Sequence, residues 1–220
     1  MTKQERLQKM QEKHDAMMAF DNEYRGGNII VAGVDEAGRG PLAGPVVAAC
    51  AILSEDFDVI GVDDSKKLSE KRRNELFEQI LNKSLAYGIG IADNSLIDEI
   101  NILQATKKAM QEALEKADEM LWERHGKHVG HVLFDAVEIK ELDMPQSAII
   151  KGDAKSLSIA ASSIIAKVTR DRMMMEYHEQ YPYYGFDSNK GYGTKAHYAG
   201  IEEHGVTPIH RMTFLKNLNL

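Results

Sequence analysis

The segment Gly33-Val-Asp-Glu-Ala-Gly-Arg-Gly-Pro-Leu-Ala-Gly-Pro45 constrains the fold more than any other part of the chain. It lies between two apolar runs, Ile29 to Val34 and Pro45 to Leu53. Both read as buried strands, because they are rich in β-branched and small apolar residues and are bounded by glycine and proline. Side chains alternate faces along a strand, so Asp35 and Glu36 can meet only if the strand ends between them; the Ala37-Gly38-Arg39-Gly40 turn is expected to supply that ending. Two carboxylates held together repel, and a divalent cation with oxygen ligands relieves the repulsion. The alternative is an ordinary strand end with a solvated acidic turn.

Residues 1–24 form a weakly amphipathic helical pattern through Leu7, Met10, Met17 and Phe20, which Arg25-Gly26-Gly27-Asn28 then breaks. Residues 1–28 are expected to be a helical extension of a domain spanning 29–220. Beyond the two strands, Ser69 caps a helix with Leu76, Phe77, Ile80 and Leu81 on one face, and Leu85 to Ile91 reads as a strand. Asn101 caps a long helix to about Arg124; Val129 to Phe134 is a strand stopping at Asp135. Ala148 to Ile150 leads into Gly152-Asp153, and the Ala/Ser-rich stretch Leu157 to Gln180 is a helix. Three meander-like strands followed by strands alternating with helices predict an α/β fold with a mixed sheet.

Three strands thus end on carboxylates: Asp35-Glu36, Asp135 and Asp153. Four such acids suit two Mg²⁺ or Mn²⁺ ions, whereas the scattered histidines lack the spacing of a zinc site. Asp135 reads equally as a turn residue, and Asp153 as the N-cap of the next helix. The glycine turn lacks the Lys-Ser/Thr ending of a P-loop and the spacing of a dinucleotide loop, which leaves close backbone approach to a ligand as its better reading. A net charge of −7, with 13 basic against 22 acidic residues over 29–150, excludes an indiscriminate nucleic-acid binder. The one cysteine, Cys50, sits in an apolar run and is expected to be an inert core residue of a reduced, cytoplasmic protein. No continuous apolar segment occurs in 1–28, so neither signal peptide nor membrane span is expected.

Taken in order, Gly-Val-Asp-Glu-Ala-Gly-Arg-Gly, Asp64-Ser65-Lys66-Lys67-Leu68, Lys151-Gly152-Asp153, Gly191-Tyr192-Gly193-Thr194 and His210-Arg211-Met212-Thr213-Phe214 resemble the bacterial ribonuclease HII family, from about Ile29 to Phe214. The resemblance implies a ribonuclease H-like five-stranded mixed sheet flanked by helices, with extra C-terminal helices. It implies that Asp35, Glu36, Asp135 and Asp153 bind two metal ions and catalyse hydrolysis 5′ to a ribonucleotide, leaving a 3′-hydroxyl and a 5′-phosphate. Substrates would be RNA/DNA hybrids and duplex DNA with embedded ribonucleotides, with a replication clamp as a further candidate partner and a monomer as the expected state.

By the same resemblance, the backbone of Gly38, Arg39 and Gly40 would sense the 2′-hydroxyl and Tyr192 would stack on the next deoxyribose. Ser65, Lys66, Lys67, Lys151 and Arg211 are candidate substrate contacts. Against these stand plainer readings: a half-buried turn tyrosine, a serine capping local backbone, lysines that are solvated surface charge, and structural histidines at His197 and His210. Lys71, Arg72 and Arg73 are read as solvated charge. Competing activities are the sister ribonuclease HIII, which normally carries a larger N-terminal domain; a non-catalytic binding module; and a phosphatase or nucleotide hydrolase using the same acids.

Overall fold

A computed structural model describes residues 2–216. Helix α1 (Lys3–Asn22) opens the chain with a capping box between Thr2 and Glu5. Strands β1 (Val31–Ala37), β2 (Val46–Ile52) and β3 (Ala86–Ala92) form an antiparallel meander, with α2 (Glu70–Lys83) between β2 and β3. A capped turn of helix, α3 (Asn94–Ile100), and the long α4 (Ile102–His125) then carry the chain across the sheet to β4 (His131–Asp135), which pairs parallel to β1. Strand β5 (Gln146–Ile149) adds parallel to β4, giving the order β3-β2-β1-β4-β5. The expected five-stranded mixed sheet flanked by helices is therefore present.

Strand alternation sorts the core into two layers. Ala32, Val34, Ala48, Cys50 and Phe134 meet Ala109, Ala113 and Ala117 of α4 on one face. On the other, Ala49 and Ala51 meet Leu76 and Ile80 of α2 and the apolar stripe of α6 (Leu157–Gln180). The alanine-rich β2 brings both helix layers close, and Cys50 is fully buried, its thiol pushed far up by desolvation. At Gly33 the approach to α6 is close: a Cβ there would lie 2.3 Å from the backbone N of Ile159, and the Ser162 hydroxyl donates to the Gly33 carbonyl at 2.8 Å. Helix α6 thus lies directly on β1, which fixes one wall of the site described below.

Helix α1 differs from its expected stripe. Leu7 is exposed, while His14, Met17, Met18 and Asp21 are buried. The Asp21 carboxylate accepts the Ser158 N–H at 2.9 Å and the Ser158 hydroxyl, placing a negative group at the N-terminus of α6. Burial raises its pKa despite those bonds. After α6 come α5's downstream neighbours in sequence: a 3-10 turn (Pro182–Tyr184), then α7 (Phe186–Asn189) and α8 (Lys195–His204); α5 itself (Gly152–Lys155) directly precedes α6. Among the described residues no helix is long and apolar enough to cross a membrane.

Candidate active site

The four acids do not meet in the way the sequence suggested. Strand β1 runs through Asp35 and Glu36 to Ala37, and both remain paired with β2, opposite Ala49 and Ala48. What stops is the other ladder. Parallel pairing with β4 ends at Val34 and Phe134, and the register continued by one rung sets Asp35 level with Asp135. Val31, Leu133 and Ile159 share a cluster, so the odd positions of both strands, Asp35 and Asp135 among them, face α6. The pleat sends Glu36 to the other side of the strand. The site therefore opens at the C-terminal ends of two parallel strands, where the paired backbone gives out.

Asp153 joins from α5, where it sits inside the first turn and is buried; the N-cap position is Lys151, in a left-handed conformation, so the capping alternative is excluded. The Gly152 N–H donates to Asp135 Oδ1 at 2.7 Å, tying the start of α5 to the end of β4. Asp35 is 5% exposed, and burial together with Glu36, Asp135 and Asp153 holds its pKa well above the usual carboxylate range. Burial also raises Glu36, opposed by Arg39 and reinforced by Asp135. For Asp153 the causes are burial, then Asp64 and Asp135, offset by Lys66 and Lys67.

Three acids pushed up together mark a site with negative charge in excess of its protein partners. Glu36 Oε2 is buried without a hydrogen-bond partner, and the donor set is all oxygen. Those features fit hard divalent cations. Among the described residues no three acid, histidine or cysteine side chains already form a ligating group. The carboxylates are splayed, Asp35 Oδ1 onto the Glu36 N–H and Asp135 Oδ1 onto the Gly152 N–H, each at 2.7 Å. Mutual repulsion favours that arrangement.

Asp35 and Glu36 open into a cleft of about 310 Å³ bounded by the Gly38–Gly40 turn, Lys66, Lys167 and Tyr192. A slightly larger one, about 360 Å³, lies at the other end of β1 near Arg25 and His125 and has Glu55 as its only carboxylate. The chemistry therefore favours the first. Gly38 takes φ +97°, and a Cβ there would lie 2.0 Å from Arg170 Nε. A Cβ on Gly40 would lie 3.4 Å from the Tyr192 ring, so the turn and this half-exposed tyrosine face each other.

The candidate cations divide. Lys66 points into the cleft; burial pulls its pKa down, but Asp35, Asp153, Asp64 and Asp135 more than offset this. Lys67 is exposed near Asp63 and Asp64, and Lys151 is exposed ahead of α5. Ser65 is buried, its N–H donating to Ser163 Oγ, and the local cap is Asp64 rather than Ser65. Arg211 is fully buried and donates to the carbonyls of Gly44, Arg39 and Gly38 at 2.9, 2.9 and 2.6 Å. It does not face the cleft as a phosphate contact; it braces the glycine loop from behind. Arg73, read as solvated, instead donates to the Ser65 and Leu68 carbonyls and lies 3.8 Å from Asp171.

Two residues escaped the sequence reading. Arg170 is 1% exposed and donates to the carbonyls of Pro45, Lys190 and Ala43. Lys167 lines the cleft, held 2.6 Å from Asp171. Arg170 follows Ser163 and Ala166 at helical spacing on the buried stripe of α6, a signal that could have marked it as buried.

Behind Tyr192, His197 and His210 are buried with their Nε2 atoms 3.0 Å apart. Desolvation pushes His210 down to about 4, with His197 adding to it, and lowers His197 as well. Below the unfolded-state value of about 6.5 the unfolded chain takes up protons that the fold excludes, so this contribution is complete above that pH and declines as pH falls toward 4. Removing the titration with His210→Gln should flatten the stability profile by about 2 kcal/mol between pH 7 and 5, measured by denaturant unfolding with chelator present. Parallel profiles would show that His210 titrates normally. The raised acids act in the opposite sense, which is why the difference between proteins, not the slope of either, is read.

The family model described as Ribonuclease HII matches residues 32–217. The chain is 51% identical over 220 residues to a ribonuclease HII of Clostridioides difficile (strain 630), covering 98% of this chain and 82% of the relative. Among solved structures it is similar to the ribonuclease HII of a PCNA complex from Archaeoglobus fulgidus, with TM-score 0.68 and 27% identity over 86% of this chain and 96% of that one. It shares its fold with Bst ribonuclease HIII in complex with Mn²⁺, with TM-score 0.61 and 17% identity over 83% of this chain and 65% of that one.

Proposed function

The chain belongs to the ribonuclease HII family and is a metal-dependent ribonuclease H hydrolase; from that premise we propose that it cuts 5′ to ribonucleotides, in RNA/DNA hybrids and at single ribonucleotides in duplex DNA, leaving 3′-hydroxyl and 5′-phosphate ends. The observation that supports this reading is a buried Asp35 that feels the charges of Glu36, Asp135 and Asp153, beside a cleft lined by Asp35 and Glu36 and by a glycine turn facing Tyr192. Residues 29–220 are proposed as the catalytic unit, with 1–28 as an extension docked on α6 through Asp21.

In this proposal Asp35 is the shared metal ligand, with Glu36, Asp135 and Asp153 completing the two shells. When bound, Mg²⁺ or Mn²⁺ supplies an activated water and charge stabilisation at the leaving 3′ oxygen. Lys66 offsets the acids' charge and holds the scissile phosphate near them; Lys67 and Lys151 meet flanking phosphates. The backbone of Gly38, Arg39 and Gly40 reads the 2′-hydroxyl, where a side chain would occupy the space of the sugar. Tyr192 stacks on the following deoxyribose. A pure binding module would gain nothing from clustered acids where phosphates dock. We extend to this chain the clamp contact of the Archaeoglobus protein, together with a monomeric state and a cytoplasmic location.

The test is cleavage of a labelled DNA duplex bearing one ribonucleotide, with Mg²⁺, Mn²⁺ or chelator, beside all-DNA and RNA/DNA duplexes. Metal-dependent nicking 5′ to the lone ribonucleotide is expected. Cleavage of the hybrid alone would move the assignment toward a ribonuclease HIII-like preference, and no cleavage by folded protein would sink it. Tyr192→Ala should reduce the preference for the lone-ribonucleotide duplex over the hybrid about tenfold in kcat/KM. An unchanged preference would remove Tyr192 from the reader.

A further inference from the structure

The hydrogen bonds around His197 and His210 form a chain whose direction is set independently from each end. At one end the Thr207 N–H lies 2.8 Å from His210 Nδ1, which must therefore accept, leaving the proton on Nε2. At the other, His197 Nδ1 lies 3.0 Å from the Tyr192 carbonyl and must donate, leaving Nε2 bare. The two assignments agree where they meet, as His210 Nε2–H donates to His197 Nε2 at 3.0 Å. Tyr184 and Phe186 pack edge-on against the pair, and neither imidazole has a carboxylate partner among the described residues. Both are thus neutral, each in one tautomer.

The same segment grips the glycine loop. His210 bridges Ala43, the Arg211 N–H donates to the Leu42 carbonyl at 2.8 Å, and Gly44 N–H donates to Ile209 at 2.9 Å. Leu42 N–H in turn donates to the Gly191 carbonyl at 2.8 Å. Adjacent residues thus hold the two halves of the cleft wall: Arg211 takes the carbonyls of Gly38 and Arg39, and His210, through His197, takes the carbonyl of Tyr192.

We infer that His197 and His210 are positioning residues that set the Tyr192 ring at a fixed distance from the Gly38–Gly40 turn, so that recognition of the RNA-to-DNA step depends on this buried pair. The inference rests on the proposed role of Tyr192 as a stacking platform. Without the His197 bond the Tyr192 carbonyl keeps only the Thr194 N–H at 2.8 Å, a bond within its own turn, and the ring loses its tie to the segment that holds the glycine loop. The acids are untouched, so chemistry on a continuous hybrid, where every sugar is a ribose, is preserved.

Three proteins, His197→Leu, His197→Asn and Tyr192→Ala, are compared with wild type on the lone-ribonucleotide duplex and the hybrid, with thermal melting to verify folding. His197→Leu should lower the kcat/KM ratio of the two substrates about tenfold while hybrid kcat stays within about twofold. His197→Asn, whose side-chain amide N–H stands near the place of Nδ1–H, should restore most of the ratio. A folded His197→Leu protein with the wild-type ratio, beside a Tyr192→Ala protein that has lost it, overturns the inference alone. If Tyr192→Ala also keeps the ratio, the platform reading falls and takes the inference with it. Long-range ¹⁵N–¹H correlation of the wild-type histidines gives a readout free of folding defects. His197 protonated on Nδ1 and His210 on Nε2 support the relay; the opposite tautomers refute it.

Discussion

Asp35→Asn should lower turnover at least about a hundredfold, and in metal-free buffer it should melt no lower than wild type. The two expectations come from one cause. Asp35 lies at 5% exposure among three other acids, and both burial and their charges work against its ionised form. Neutralising it relieves that repulsion while removing the proposed shared metal ligand. Adding Mg²⁺ or Mn²⁺ should raise the wild-type melting temperature, since a ligand that binds only the folded state stabilises it, and should raise that of Asp35→Asn much less. A folded mutant with near-normal turnover, or an equal metal-induced shift in both proteins, would contradict the assignment of Asp35.

Arg211→Met is expected to cost about 3 kcal/mol or more, because it strips partners from three carbonyls in a buried setting. For a chain of this size that corresponds to roughly 10 °C in melting temperature. Burial and the neighbouring Arg170 lower the Arg211 pKa to about 9, so the guanidinium is still charged at neutral pH and its bonds are charge-assisted. Arg211→Lys should recover little, since an ammonium cannot span carbonyls spread over Gly38, Arg39 and Gly44. Calorimetry separates this from the phosphate-contact role implied by sequence resemblance. If Arg211 were an exposed phosphate ligand, Arg211→Met would weaken substrate binding and flatten its salt dependence while leaving the melting temperature in place.

Arg211 also shows where sequence reasoning stops. The motif containing it is legible, but whether its guanidinium faces a phosphate or the back of a loop depends on which segments the C-terminal stretch packs between. Arg73 failed in the same way: three consecutive cations look like a solvated helix face until the turn beneath Ser65 and Leu68 is in place. Asp35 and Glu36 are legible in the sequence as adjacent acids at a glycine turn, but the expected way for them to converge is not what the structure shows. The strand does not end between them; the β1–β4 ladder does. No local pattern announces where pairing between residues about 100 positions apart will stop.

By itself the sequence determined the elements and the candidate chemistry. Apolar runs of strand length, helix stripes with caps at Ser69 and Asn101, and acids near strand ends are local facts, governed by backbone propensity and side-chain period. Only the tertiary structure decided that β4 slots beside β1 in a register that sets Asp135 level with Asp35. It also decided that α6 presses on Gly33, and that His210 and Arg211 hold opposite walls of one cleft. Those outcomes depend on long-range packing, in which the space left between layers selects the partner of each buried polar group. A buried arginine or histidine takes whichever carbonyl the fold brings to it, and that carbonyl lies far away in the chain.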